Sequence, residues 1–166
     1  MRVRYTLALA LVSALTLAAL GTASAATFSY VANLAGTNEV GPNVSPGTGT
    51  AFITYDDVSG AITTAITFSG LVGPTTASHF HGPATTLTNA PVIHGFASTP
   101  LGVMAGSYND VWAAPTSAQI GWLQTQQLYV NIHSQVYPGG EIRGQVNPAA
   151  TPGRSVSWGR IKSLYR

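Results

Sequence analysis

Residues 128–146, LYVNIHSQVYPGGEIRGQV, decide the fold, because they have the pattern of two β-strands joined by a tight turn. Apolar and polar side chains alternate on both sides of Pro138-Gly139-Gly140, and a period of two is typical of strands with one dry and one wet face. Strands are therefore predicted at residues 128–134 and 141–146. The side chains predicted to point inward are Leu128, Val130, Ile132, Ile142 and Val146, and those predicted to point outward are Tyr129, Asn131, His133, Glu141, Arg143 and Gln145.

The length of the turn also predicts the register of this hairpin. Antiparallel pairing across the turn sets His133 opposite Glu141 and Asn131 opposite Arg143. A slip by one residue would move every side chain to the other face, so the alternation limits the register strongly.

A second histidine-bearing strand is predicted at residues 76–82. His79 and His81 stand two residues apart there, and residues two apart on a strand share a face, while Phe80 points the other way. Imidazole nitrogen is a ligand that zinc and copper accept. Because His133 also lies on the polar side of its strand, we expect His79, His81 and His133 to form one copper or zinc site.

The groups around this predicted site are polar and charged. Glu141 is expected as a nearby ligand or outer-shell partner, and Arg143 and Asn131 as further outer-shell partners. Glu39 is an uncertain candidate. The alternative is a structural hydrogen-bond cluster of histidines, Glu141 and Arg143 that pins the last hairpin without any metal.

The rest of the chain predicts more short strands and one helix. His94 falls on a strand at residues 91–96 with the same parity as apolar neighbours, so a structural role is favoured over metal binding. Thr116 and Gln119 have the spacing of a capping box and predict the start of a short helix, with Ile120 and Leu123 as its apolar stripe. The other strands are predicted from residue 27 and at residues 48–55, 61–69 and 104–112.

Composition limits the classes of function. Between residues 26 and 150, Arg143 is the one basic residue against five acidic ones, a net charge of about −4, although the whole chain carries +2. Nucleic-acid binding needs clustered Lys and Arg and is not expected. The absence of cysteine excludes disulfides, thiolate metal sites and a cysteine nucleophile.

The two ends of the chain differ from its middle. Residues 1–25 have the pattern of a secretory signal, with Arg2 and Arg4 before an apolar run and Ala23-Ser24-Ala25 as the cleavage site. We therefore expect a secreted, periplasmic or extracellular protein with no membrane span after signal removal. The expected domain covers residues 26–147, and residues 148–166 are expected to be a basic, disordered tail.

Six blocks of the sequence together resemble the CHRD domain, which is named from chordin and is common in exported bacterial proteins. They are LAG at 34–36, NEV at 38–40, GL at 70–71, HFHGPA at 79–84, LYVNIH at 128–133 and PGGEIRGQV at 138–146. The resemblance implies an all-β, immunoglobulin-like antiparallel sandwich, here with one short helix before the last hairpin. Departures from the family pattern, such as Gly41-Pro42 in place of Pro-Pro and Gln127 in place of Gly, fall in loops.

The sequence is consistent with three functions. The favoured one is a non-catalytic binding module with the histidine metal site and no organic cofactor. The second is an adhesion or scaffold module that contacts a protein or glycan of the matrix or envelope. The third is a redox enzyme, because Gly70-Leu71 and His79-Phe80-His81 faintly resemble the copper strand of copper/zinc superoxide dismutases, which need more histidines than this chain holds.

Overall fold

The computed structural model describes residues 26–150, and within them nine β-strands, one α-helix and one short 3-10 turn are present. The predicted signal peptide, residues 1–25, and the predicted tail from residue 151 onward lie outside this range. The strands are β1 (Thr27–Ala35), β2 (Thr48–Asp56), β3 (Ile62–Ser69), β4 (Thr75–His81), β5 (Val92–Gly95), β6 (Gly106–Trp112), β7 (Tyr129–Ser134), β8 (Ile142–Gln145) and β9 (Asn147–Pro148); the helix α1 is Ser117–Gln124 and the 3-10 turn is Gly36–Asn38.

All strand pairs are antiparallel and form one continuous sheet in the order β5-β4-β7-β8-β1-β2-β3-β6, with β9 paired to β1. The predicted all-β fold with one short helix before the last hairpin is confirmed. The predicted pairing of Asn131 with Arg143 is confirmed as well. Strand pairing continues to Pro148, which lies opposite Tyr30, one residue beyond the predicted end of the domain.

The sheet is so strongly curved that its two outer strands, β5 and β6, come into contact. β5 and β6 are at opposite ends of the strand order, yet Nε2 of His94 on β5 is 2.6 Å from Oδ2 of Asp110 on β6. Ser78 on β4 and Tyr108 on β6 also share a hydrogen bond between their hydroxyls. The result is a sandwich that is nearly closed into a barrel, which leaves little free strand edge on this side.

Apolar side chains of alternating parity fill the interior. On β1 these are Tyr30, Ala32 and Leu34, and the interior side of β4 contributes the fully buried Phe80. Leu123 of α1, predicted in its apolar stripe, is also buried, while Ile120 and Trp122 pack against the same core. None of the helices within residues 26–150 is long and apolar enough to cross a bilayer.

The face of the sheet opposite the core is not exposed to solvent at the last hairpin, so the prediction of a solvent-exposed face there is wrong. Tyr129, Asn131, Glu141 and Arg143 are each no more than 3 % exposed. Parity places Tyr129, Asn131 and Arg143 correctly on one face, but the loops at residues 36–45 and 83–90 cover that face through bonds to Asn131 and Arg143. This part of the sheet is therefore a buried polar layer, whereas His79 and His133 beside it are half-buried.

Helix α1 begins with the predicted capping box. The Thr116 hydroxyl accepts from the Gln119 amide at 3.3 Å, and the Thr116 amide donates to Oε1 of Gln119 at 2.7 Å. Thr116→Ala is expected to lower the free energy of unfolding by about 1 kcal/mol, because the Gln119 amide at the helix start loses the hydroxyl that accepts its hydrogen bond. Urea denaturation measures this. Ser117→Ala, one residue on and exposed, is the control and should change stability by less than about 0.5 kcal/mol.

Candidate metal centre

Three histidines meet on the polar side of β4 and β7. His79 and His81 project from β4, and His133 projects from β7, where it pairs with Ala77. Nδ1 of His79 is 3.1 Å from Nε2 of His133, and the His81 ring centroid lies 5.5 Å from that of His79 and 6.0 Å from that of His133. One ring nitrogen from each histidine lies within 4.8 Å of the others. The structure thus brings together the three side chains that the sequence predicts as ligands.

Two backbone carbonyls orient the rings. The Pro138 oxygen is 2.9 Å from Nδ1 of His133, and the Ala90 oxygen is 2.9 Å from Nδ1 of His81. A carbonyl oxygen only accepts, so both Nδ1 atoms carry the proton and both Nε2 atoms keep a lone pair. The Nε2 atom of His81 is buried and has no hydrogen-bond partner among the described residues. Histidines that bind metals are commonly held in this way, with the second nitrogen on a carbonyl.

The environment keeps these imidazoles neutral. Burial, with smaller contributions from His133 and His81, lowers the pKa of His79 to about 4. Burial also lowers the pKa of His81 and of His133 below the ordinary imidazole value. Since a metal displaces protons from its ligands, lone pairs that are already free at neutral pH favour metal binding.

A three-layer stack fixes the plane of the His81 ring. The Tyr129 ring lies parallel to it, with a centroid separation of 4.7 Å and an interplanar angle of 5°. On the Tyr129 ring, the Arg143 Cζ atom is 3.5 Å from the centroid. This cation–π contact stabilises Tyr129 and, through it, the orientation of His81.

Arg143 ties the stack to the loop that covers it. Its guanidinium donates to Oδ1 of Asn89 at 3.0 Å and to the carbonyl oxygens of Thr85 at 2.8 Å and Thr88 at 3.0 Å. The side chain is 1 % exposed. The same loop ends at Ala90, whose carbonyl orients His81, so Arg143 supports that ligand by two separate routes.

Asn131 lies between the histidines and a buried carboxyl. It pairs with His79 on one side and with Arg143 on the other, and its Nδ2 donates to Oε1 of Glu39 at 2.7 Å. Burial raises the pKa of Glu39 to about 7, although Arg143 and the bond from Asn131 oppose the shift. A Cβ atom at Gly140 would overlap the Asn131 amide and lie 2.7 Å from Oε1 of Glu39, so this turn needs glycine. Glu39 lies beside the histidine cluster rather than in it.

Glu141, expected near the histidines, directs its carboxylate elsewhere. The paired residues of β7 and β8 end at Ile132 and Ile142, so Glu141 lies just before β8, and its backbone amide bonds to the carbonyl of Ile132 at 2.8 Å. Its Oε1 atom, however, accepts from the Ser45 hydroxyl and from the Val72 amide, each at 2.6 Å. Glu141 is also not among the ligand-type side chains that cluster with His79. Glu141 thus links the loops that contain Ser45 and Val72 to the last hairpin.

His94 has the structural role that its parity favours. Besides its bond to Asp110, its ring stacks on Trp112 with a centroid separation of 4.8 Å and an angle of 8°. Asp110 also accepts from the Ala97 amide. His94 therefore helps to close the sheet and lies outside the cluster of the other three histidines.

Sequence reasoning missed the partners that come from loops. The carbonyls of Ala90 and Pro138, and the side chain of Asn89, have no signature in the sequence. Tyr129 could have been found, since the predicted parity places it on the face that also carries His133. Its role follows from being directly opposite His81, which depends on the register between β4 and β7.

The family model of the CHRD domain matches residues 30–146, which is most of the chain and includes all three clustered histidines. A search of curated proteins and a search of solved structures each gave no match.

Proposed function

This chain belongs to the CHRD domain family, and from that premise we propose that it is a non-catalytic, extracellular binding module that holds one copper or zinc ion on His79, His81 and His133. The observation that carries the proposal is the buried Nε2 atom of His81, which has no partner among the described residues, in a histidine that brings a ring nitrogen within 4.8 Å of ring nitrogens of His79 and His133. A buried polar atom without a partner is costly, and a metal ion would satisfy it.

The geometry of the other two ligands supports the same conclusion. Two nitrogens that each bind one zinc ion at about 2.0–2.1 Å with a tetrahedral angle are roughly 3.3 Å apart. Nδ1 of His79 and Nε2 of His133 are 3.1 Å apart, so one ion can replace the proton that they share. To complete the site, the third nitrogen, from His81, has to approach the other two more closely than the 4.8 Å within which all three lie. Three imidazoles with a fourth position open to solvent or a partner suit both copper and zinc.

Metal binding by variants tests this function. Isothermal titration of the metal-free protein with Zn²⁺ and with Cu²⁺ is expected to give one ion per chain. Loss of an outer-shell partner alone commonly weakens a metal site 10- to 100-fold, so His79→Ala and His133→Ala are each expected to weaken binding by at least about 100-fold. His94→Gln is the matched control, because it removes a histidine outside the cluster and should leave the affinity unchanged.

Unchanged affinity in the His79→Ala, His133→Ala double variant would contradict the proposal. Measuring metal content by mass spectrometry of the native protein would identify the ion. We expect no superoxide dismutation above that of the free metal ion, because the proposed site has three histidines and no second metal position.

A second candidate function is adhesion or scaffolding, with a purely structural histidine cluster. The observation in its favour is the outer face of β1, β2 and β3, which is rich in threonine, has Asp56 at the end of β2 as its charged group and carries Phe52 at 62 % exposure. A pull-down from matrix or envelope fractions in the presence of a chelator separates the two functions. Retained binding under chelation would favour adhesion alone, whereas loss of binding would favour the metal-dependent module.

A further inference from the structure

We propose that this domain has a second site, a cavity between Glu39 and Arg143 that binds a neutral saccharide. The cavity has a volume of about 540 Å³ and lies between the loop that follows β1 and the outward side of β8. Pockets of roughly 300–1,000 Å³ are typical of small-ligand sites. The inference goes beyond the metal proposal, because the cavity is lined by none of the three clustered histidines.

The charges in the cavity favour an uncharged ligand. Glu39 and Arg143 both line it, but no salt bridge joins them within residues 26–150. An anionic ligand would be repelled by the Glu39 carboxylate, and a cationic ligand would be repelled by the Arg143 guanidinium. An uncharged ligand avoids both repulsions, and hydroxyl groups on it can donate hydrogen bonds as well as accept them.

The other polar side chains that line the cavity also suit a ligand with hydroxyl groups. Four amide side chains line the cavity: Asn33, Asn38, Gln145 and Asn147. The side-chain oxygen of Gln145 is buried and has no partner among the described residues, while its nitrogen is already bonded to the carbonyls of Ala84 and Gln126. Asn38 is held in place because its Nδ2 atom donates to the backbone oxygens of Asn33 and Arg143. Preorganised amides of this kind can orient several hydroxyls at once.

Apolar side chains at the rim distinguish a saccharide from a fully polar ligand. Val40, Pro42 and Leu87 line the cavity, and Leu87 is 82 % exposed without an evident packing role. Sugar rings present C–H groups on their faces and hydroxyls at their edges, so they can pack against this rim while their hydroxyls reach the amides. The raised pKa of Glu39, about 7, supports this assignment because its carboxyl can both donate and accept near neutral pH.

Chemical-shift titration by NMR tests the proposal. The ¹⁵N-labelled protein, in buffer that contains a chelator, would be titrated with two neutral disaccharides, cellobiose and chitobiose, with the charged sugar glucuronate and with the peptide trialanine. At least one neutral disaccharide is expected to bind with a dissociation constant in the range of about 1 mM, a modest affinity consistent with few contacts. The largest shifts are expected at Glu39, Leu87 and Gln145, with weak or no response to the charged sugar.

Variants with matched controls separate binding from folding. Leu87→Ala and Asn147→Ala alter exposed side chains at the cavity and are each expected to weaken disaccharide binding several-fold. Leu101→Ala and Asn109→Ala, which alter exposed side chains elsewhere, should leave it unchanged. Glu39→Gln keeps the side-chain shape and still donates and accepts, so it is expected to keep most of the binding.

Four results would overturn the inference. They are the absence of shifts with any neutral disaccharide, shifts confined to the threonine-rich outer face, a response to trialanine alone, and disaccharide binding that survives both cavity variants. The His79→Ala, His133→Ala double variant is expected to keep disaccharide binding. Failure of the metal site and failure of the saccharide site would therefore be distinguishable.

Discussion

Arg143→Ala is expected to lower the free energy of unfolding by about 3–5 kcal/mol, because it removes a large, fully buried side chain and leaves several loop acceptors without their donor. The guanidinium satisfies the carbonyls of Thr85 and Thr88 and the Asn89 side chain, and it covers the Tyr129 ring. Alanine would remove these contacts and leave a cavity beneath the covering loop. Guanidinium chloride denaturation of the metal-free protein measures the loss.

Two further variants show whether the bonding geometry or the charge is responsible. Arg143→Lys keeps the charge but lacks the planar fork, so it should recover less than half of the lost stability. Asn89→Ala removes one exposed partner and should cost only about 1 kcal/mol. A loss below about 1 kcal/mol for Arg143→Ala would mean that the polar layer does not hold the loop in place.

Acidification is expected to destabilise the metal-free protein between pH 6.5 and about pH 4. The pKa of His79 in the folded protein is about 4, against an ordinary value of 6.5, and those of His81 and His133 are lowered too. In this window the three histidines bind more protons in the unfolded chain than in the folded chain, and this outweighs the one proton that the folded chain keeps on Glu39, whose pKa is raised to about 7. The contribution of the histidines to stability therefore rises with pH and is fully present above about pH 6.5. Each histidine that takes up a proton only on unfolding contributes a slope of up to about 1.4 kcal/mol per pH unit.

Denaturation at a series of pH values measures this slope. The His79→Gln variant lacks the group with the largest shift and should show a shallower dependence over the same range. Zn²⁺ at 100 times its dissociation constant should add about 2.7 kcal/mol at pH 7, and this gain should vanish as the ligands become protonated. A pH-independent stability from pH 7 to 4 would contradict the buried, neutral state of the cluster.

Local patterns were sufficient to predict most of the strands and part of the site. Alternation predicts the faces of β7 and β8, and the Pro138-Gly139-Gly140 turn predicts the pairing of Asn131 with Arg143, because both depend only on residues close in sequence. The shared face of His79 and His81 also follows from the strand period alone. The capping box at Thr116 is equally local.

Other parts of the site depend on residues far apart along the chain. Glu141 lies one residue before β8, and its carboxylate bonds to Ser45 and Val72, which are 96 and 69 residues away in sequence. Arg143 was expected on a wet face and is buried by a loop whose path no periodicity predicts. A polar side chain near several backbone donors takes the partners that folding brings to it, and the sequence pattern does not specify these partners.

The antiparallel β fold and the position of three histidines on the polar sides of two strands follow from the amino-acid sequence alone, because side-chain direction on a strand depends on parity. The neighbouring positions of β4 and β7, the convergence of ring nitrogens within 4.8 Å and the cover of two loops over the adjacent polar layer arise from the fold of the whole chain. Strand neighbours and loop paths result from packing of the whole chain, since the contacts that select them join residues with no local relationship.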